Sequence, residues 1–323
     1  MRLILFVDPA MANGMNLLAA CLRLAAARGD LEPVAIVDTA RAPPSRLQLP
    51  RARAAWTLRR LLNVNTPAEP LDAPPRASVT SLARRRRIPV LAPRAAGVND
   101  PSLVEAVARL QPDVALTLMV SQMFRAPLLA ACRIPVNYHP GLLPDYRGVD
   151  PTGWSIYRGE PSSGFSFHLM SEQVDRGRIL LQGSVALAPT SVAAPVEREK
   201  TRVARSRLNE LFDLLAAPLA GASGQDRPGS SFSRADGAAI REIDEPERLS
   251  LAELELRLRA FEIVDLALAG RRWRTTALRR VGRRARGRRL AFTTADGVTV
   301  EPSRVLHLPP LAYRALLPAI RSA

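Results

Sequence analysis

Ile134-Pro135-Val136-Asn137-Tyr138-His139-Pro140-Gly141-Leu142-Leu143-Pro144-Asp145-Tyr146-Arg147-Gly148 changes character twice within fifteen residues. It opens as a short apolar run and reads as a strand. Asn137 and His139 stand at alternate positions of that strand, and alternate strand residues point to one face. Pro140 and Gly141 end the strand, and Pro144 with Gly148 shapes a loop beyond it. A second acid follows downstream in Ser171-Glu172-Gln173-Val174-Asp175-Arg176-Gly177. An amide, an imidazole and a carboxylate at the rim of a sheet are the parts of an acyl-transfer site. The amide donates to a carbonyl oxygen as it gains charge, and the His/Asp pair moves the proton.

Outward from this stretch the chain alternates apolar runs with helical patterns. Residues 3–7 and 33–37 are continuous apolar runs, the mark of strands buried on both faces. Residues 11–28 between them have helical spacing, so the three form a βαβ unit and imply a parallel sheet. Strands are expected at 88–91, 113–120, 164–170 and 179–185, with the last two flanking the Asp175 loop. Helices are expected at 101–110, 123–131 and 196–219, the last with an apolar stripe of Leu208, Leu211, Leu214 and Leu215. The Gly-, Ser- and Pro-rich stretch 221–231 reads as a linker. It divides the chain into a catalytic domain, 1–222, and a linker with a small β domain, 223–323. In the latter, 249–261 is an amphipathic helix, 273–281 a strand, and 289–294 with 298–301 a hairpin across Ala295-Asp296-Gly297.

The motif resembles that of the folate-dependent formyltransferase family, with the methionyl-tRNA enzymes as its two-domain type. Asn137, His139, Leu142 to Pro144, Arg147, Gly148, Asp175 and Gly177 match in order. The resemblance is weaker over 1–38, 88–136 and 232–261, and it lapses in the segment from Arg41 to Arg87. It implies a doubly wound, Rossmann-like α/β domain followed by a small barrel-like, OB-like β domain. It implies a formyl group moving from 10-formyltetrahydrofolate to a primary amine, with Asn137, His139 and Asp175 catalytic. The folate would meet Met119, Val120, Ser121, Val174 and Gly177. His168 reads as a structural strand residue, although Phe167-His168-Leu169-Met170 looks more like members that formylate small amines. Gly141 stands where the family usually has Ser.

The chain has 323 residues, enough for one large or two ordinary domains, and is 47% hydrophobic, so it can bury a real core. Cys21 and Cys132 form neither a metal spacing nor a disulfide framework, and no metal is expected. No stretch resembles a signal sequence or a membrane span, so a cytoplasmic protein is expected. The formal charge is +16, and all of its 46 Lys and Arg except Lys200 are Arg. Two segments hold the excess. The segment from Arg41 to Arg87 carries net +9 and that from Gly270 to Leu290 net +10, leaving the rest slightly acidic. They read either as arms for an anion such as initiator methionyl-tRNA, which would tie the protein to translation initiation, or as Arg-rich genome composition. Methionyl-tRNA is the first expected acceptor. The alternatives are a small amine such as an amino sugar nucleotide, hydrolysis of formyltetrahydrofolate, and a non-catalytic RNA-binding relative.

Overall fold

The computed structural model describes residues 1–39, 78–94, 97–217, 222–281, 290–303 and 305–307. The chain begins β1 (Arg2–Val7), α1 (Ala12–Ala27), β2 (Glu32–Asp38). It continues α2 (Val79–Arg84), β3 (Val90–Leu91), α3 (Pro101–Leu110), β4 (Val114–Leu118), α4 (Ala126–Ala130) and β5 (Ile134–His139). Then come β6 (Arg147–Gly148), α5 (Pro151–Tyr157), β7 (Ser162–Leu169), β8 (Ile179–Ala186), α6 (Ala193–Ser206) and α7 (Leu208–Ala216).

Seven strands form one sheet in the order β3-β2-β1-β4-β5-β7-β8. The five strands from β3 to β5 are parallel, while β7 and β8 add in antiparallel fashion. The apolar run of β1 explains its central place. Leu3, Leu5 and Val7 enter a core with α1, α6 and α7, and Ile4 and Phe6 enter a second core with α3 and α4. All five are wholly buried, each burial contributing roughly 1.5–3 kcal/mol. The chain starts at β1, winds out to β3, then returns to β4 on the other side of β1. The two directions of winding leave a crevice at the carboxyl ends of β1 and β4, where open α/β sheets take ligands.

The expected helix at 196–219 is two helices, broken at Arg207. Of its apolar stripe, Leu208, Leu211 and Leu215 are buried, whereas Leu214 is 39% exposed. Residues 282–289, within the Arg-rich segment from Gly270 to Leu290, lie outside the described residues, as do 41–77 of the other Arg-rich segment.

Beyond α7 the chain forms β9 (Ser231–Phe232), α8 (Arg234–Arg241), β10 (Glu242–Ile243) and α9 (Leu251–Phe261). It ends in β11 (Val264–Leu268), β12 (Arg271–Thr275), β13 (Ala277–Arg280), β14 (Phe292–Thr293), β15 (Thr299–Ser303) and β16 (Leu306–His307). These make two small sheets, β10-β11-β12-β16 and β13-β15-β14. The expected strand 273–281 is divided at Thr276 between them, and the expected hairpin is present as Phe292↔Val300 and Thr293↔Thr299. Trp154 of α5 stacks on Phe232 at 4.3 Å and meets Phe261 edge-on at 5.2 Å, so an aromatic cluster joins this part to the seven-stranded sheet's helices.

Candidate active site

The alternation of β5 sorts its residues. Val136 and Tyr138 enter the core, while Asn137 and His139 face the crevice. Asp175 reaches them from the β7–β8 loop, its backbone held at φ +52. Its Oδ2 accepts the Gly148 N–H at 2.9 Å and lies 3.4 Å from His139 Nδ1. Its Oδ1 lies 3.4 Å from His168 Nε2 and 3.5 Å from Asn137 Nδ2. Asn137, His139 and Asp175 therefore converge, and His168, read from sequence as structural, stands among them.

Carbonyl partners fix the protons. His139 Nε2 donates to the Tyr146 carbonyl at 2.8 Å, which leaves Nδ1 turned to Asp175. His168 Nδ1 donates to the Leu169 carbonyl at 2.8 Å, so its Nε2 accepts from Asn137 Nδ2 at 3.1 Å. The Thr117 hydroxyl donates to Asn137 Oδ1 and settles which way the amide points. One amide hydrogen thus binds His168. The other faces Asp175 at a distance too long for a firm bond and remains for a ligand oxygen.

Burial is the largest influence on His139, lowering its pKa against the pull of Asp175; His168 and Lys200 lower it further. The neutral imidazole is the resting form. Burial alone would raise the Asp175 pKa, but His139, His168 and the Gly148 N–H outweigh it and hold it at about 2. A lasting carboxylate beside the neutral His139 imidazole can stabilise a proton arriving on that ring.

Two glycines give this cluster its room. Gly148 has φ +90, and a Cβ there would lie 2.1 Å from the Phe232 carbonyl oxygen. A Cβ on Gly141 would lie 2.6 Å from His139 Nε2 and 3.0 Å from the Tyr146 carbonyl oxygen. Gly141 therefore lets the ring reach Tyr146, which a Ser side chain would obstruct.

The cluster opens into a cavity of about 750 Å³ at the crevice between β1 and β4. Met119, Val120, Ser121 and Val174, named from the sequence as folate contacts, line it, whereas Gly177 does not. Gly177 instead lies against Leu169, and its carbonyl accepts a hydrogen bond from Gln225. Met123 and Val174 line the cavity with 59% and 46% of their surface exposed. Apolar side chains left open beside polar donors suit the flat ring of a folate. Asp150, Glu197 and Glu262 share the cavity wall, and burial followed by repulsion from Glu197 and Asp150 raises the Glu262 pKa. Among the described residues no group of His, Cys, Asp and Glu is arranged to hold a metal ion, and no helix is long and apolar enough to cross a membrane.

The segment read as a linker takes part in the site. Gln225 Nε2 donates to the carbonyls of Asp175 at 2.9 Å and Gly177 at 2.7 Å. Its Oε1 accepts from Arg147 Nε and Nη2 at 3.0 and 2.7 Å. The segment then pairs β9 in parallel with β6, and the Ser230 hydroxyl accepts the Tyr146 N–H at 2.9 Å. Arg147, matched by the motif, is thus a buried brace between loops. Thr117 and Gln225 carry no motif of their own; only the pairing Thr117↔Asn137 across parallel strands would have revealed the first.

A family model described as "Formyl transferase" matches residues 63–208. Among solved structures, a sugar N-formyltransferase from a Shewanella species is similar at TM-score 0.56 and 16% identity, covering 93% of this chain and 96% of its own. A 4-N formyltransferase from Francisella tularensis is similar at TM-score 0.55 and 16% identity, covering 84% and 94%. HypX from Aquifex aeolicus, solved in complex with tetrahydrofolic acid, is similar at TM-score 0.57 and 14% identity, covering 97% of this chain and 46% of its own.

Proposed function

We propose, from the formyl transferase match over residues 63–208, that the chain is a folate-dependent enzyme of one-carbon transfer that N-formylates the amine of an amino sugar. The observation that carries the reading is the convergence of Asn137, His139 and Asp175 on one cavity. 10-Formyltetrahydrofolate supplies an activated formyl carbon. The free Asn137 N–H donates to the formyl oxygen as it gains charge, an interaction worth roughly 3–4 kcal/mol in the transition state. As the amine attacks the formyl carbon, His139, neutral at rest and with its Nε2–H committed to Tyr146, takes the amine proton at Nδ1. It returns a proton to the folate nitrogen as that nitrogen's bond to the formyl carbon breaks and tetrahydrofolate leaves. The Asp175 carboxylate, 3.4 Å away, stabilises the imidazolium so formed. The lowered pKa of His139 supports the acceptor's part for this ring. His168 orients the Asn137 amide.

The choice of acceptor rests on charge. Of the arginines from Gly270 to Leu290, Arg272 pairs with Asp244, Arg274 with Asp265 and Arg279 with Glu301. These are committed to the fold rather than held out to phosphates. The cavity wall carries Asp150, Asp175, Glu197, Glu242, Glu262 and Asp265 against Arg234, Arg241 and Arg274, an acidic balance that favours a small cationic amine over a polyanion. The name of the Shewanella protein, a sugar N-formyltransferase, points the same way. Sequence reading placed methionyl-tRNA first; the paired arginines and the acidic wall support the sugar amine. In this reading residues 1–222 supply the catalytic groups and the later residues close the acceptor side.

The test offers 10-formyltetrahydrofolate with amino sugar nucleotides, free hexosamines and methionyl-tRNA, following folate absorbance and formate. Turnover only with a sugar amine is expected. Formylation of methionyl-tRNA alone would overturn the acceptor, and formate release without amine would make the enzyme a hydrolase.

A further inference from the structure

Lys200 is the chain's only lysine among 46 cationic side chains, and it is wholly buried. A chain so rich in Arg uses an ammonium at one place, and the surroundings say why. Lys200 Nζ donates to the Pro140 carbonyl at 2.6 Å and to the Thr152 hydroxyl, and pairs with Glu197 Oε1 at 2.9 Å. Three donors radiating from one atom meet three acceptors. The Thr152 hydroxyl in turn donates to Glu197, which closes the ring of bonds. A guanidinium would bring five N–H groups in a planar fork and leave buried donors unmatched.

These bonds join α6, α5 and the turn that ends β5. Pro140 directly follows His139, so its carbonyl marks where the strand stops and where the imidazole is presented. The ammonium is also one of the charged or titratable groups acting on that ring, with Asp175 from the β7–β8 loop and His168 from β7. We propose that Lys200 is a positioning residue for formyl transfer, anchoring the end of β5 and keeping the His139 ring ready to receive a proton. The proposal rests on the formyl-transfer reading for its kinetic part only.

Lys200→Met removes the ammonium. Lys200→Met combined with Glu197→Gln removes both charges, so that no carboxylate is left buried alone. The chain has three histidines, and nitrogen-15 NMR of labelled histidine, assigned against His139→Asn, follows the His139 ring without any acceptor. Loss of a positive neighbour favours the imidazolium, so the His139 midpoint should rise in the single variant, and by less in the double variant, where the lost carboxylate offsets the lost ammonium. Where formyl transfer is measured, kcat should fall at least about tenfold with the folate KM within about twofold, the mark of lost alignment rather than lost binding. An unchanged midpoint together with a kcat within about twofold of the parent overturns the proposal, as does failure of both variants to fold, which would make Lys200 a structural element only. A parent inactive with every amine would defeat the formyl-transfer reading while the NMR result still decides the electrostatic part.

Discussion

At the scale of single residues the site depends on where one imidazole sits. Gly141 leaves His139 its space, and Gly141→Ala would put a methyl 2.6 Å from Nε2. The ring must then turn away from Tyr146 and Asp175. Turnover is expected to fall roughly 10–100-fold, the scale of an ångström's misplacement, with thermal stability lowered by about 1–3 kcal/mol for the overpacked site. Steady-state kinetics and thermal melting check both, and parental turnover would show that the ring's place is unimportant. His139 also sets a pH limit. Its pKa is lowered, so the neutral base persists below the ordinary histidine range. With acceptor saturating, kcat should stay level as pH falls to about 6.5 and decline only below it. A kcat profile already falling above about pH 7 would contradict a resting neutral ring.

At the scale of elements, the stretch from residue 222 to 232 behaves as a strap across two catalytic loops. Gln225→Leu removes both donors to the Asp175 loop and leaves Arg147, 3% exposed, without its side-chain acceptor. We expect a loss of roughly 2–4 kcal/mol and a fall in turnover as the Asp175 loop loosens, read by urea unfolding and kinetics. Unaltered stability would mean that the strap holds nothing in place. The strap also marks the limit of what the sequence discloses. The apolar run of β1 and the Asn137/His139 alternation were legible because burial and strand period write themselves into residue order. Gln225 sits among Gly, Ser and Pro, a composition that reads as a linker, because hydrogen bonds to distant carbonyls impose no period. Thr117 acts through a neighbouring strand whose place depends on sheet order. His168 looked like one more alternating strand residue until pairing set it beside Asn137.

At the scale of the whole molecule, a charge of +16 invites the reading of a polyanion binder, yet the described arginines in β12 and β13 are largely paired and the cavity wall is acidic. If the acceptor is a sugar amine, kcat/KM should change less than about threefold between about 50 and 200 mM salt, whereas an acceptor held by six or more phosphate contacts would lose about a thousandfold. Replacing Arg279 and Arg280 by Gln should leave kcat/KM nearly as it was. A steep salt slope, flattened in that variant, would restore the nucleic-acid reading. The strap has one more consequence, in time rather than space. The ribosome makes Asn137, His139 and Asp175 before it makes Gln225, which follows Asp175 by fifty residues. At about 5–20 residues per second that is a wait of roughly 3–10 s. Through that interval a nascent chain holds every catalytic group but not the clasp that braces their loops, so full activity is expected only after synthesis has passed the strap, and an interrupted translation product should consume the formyl donor more slowly.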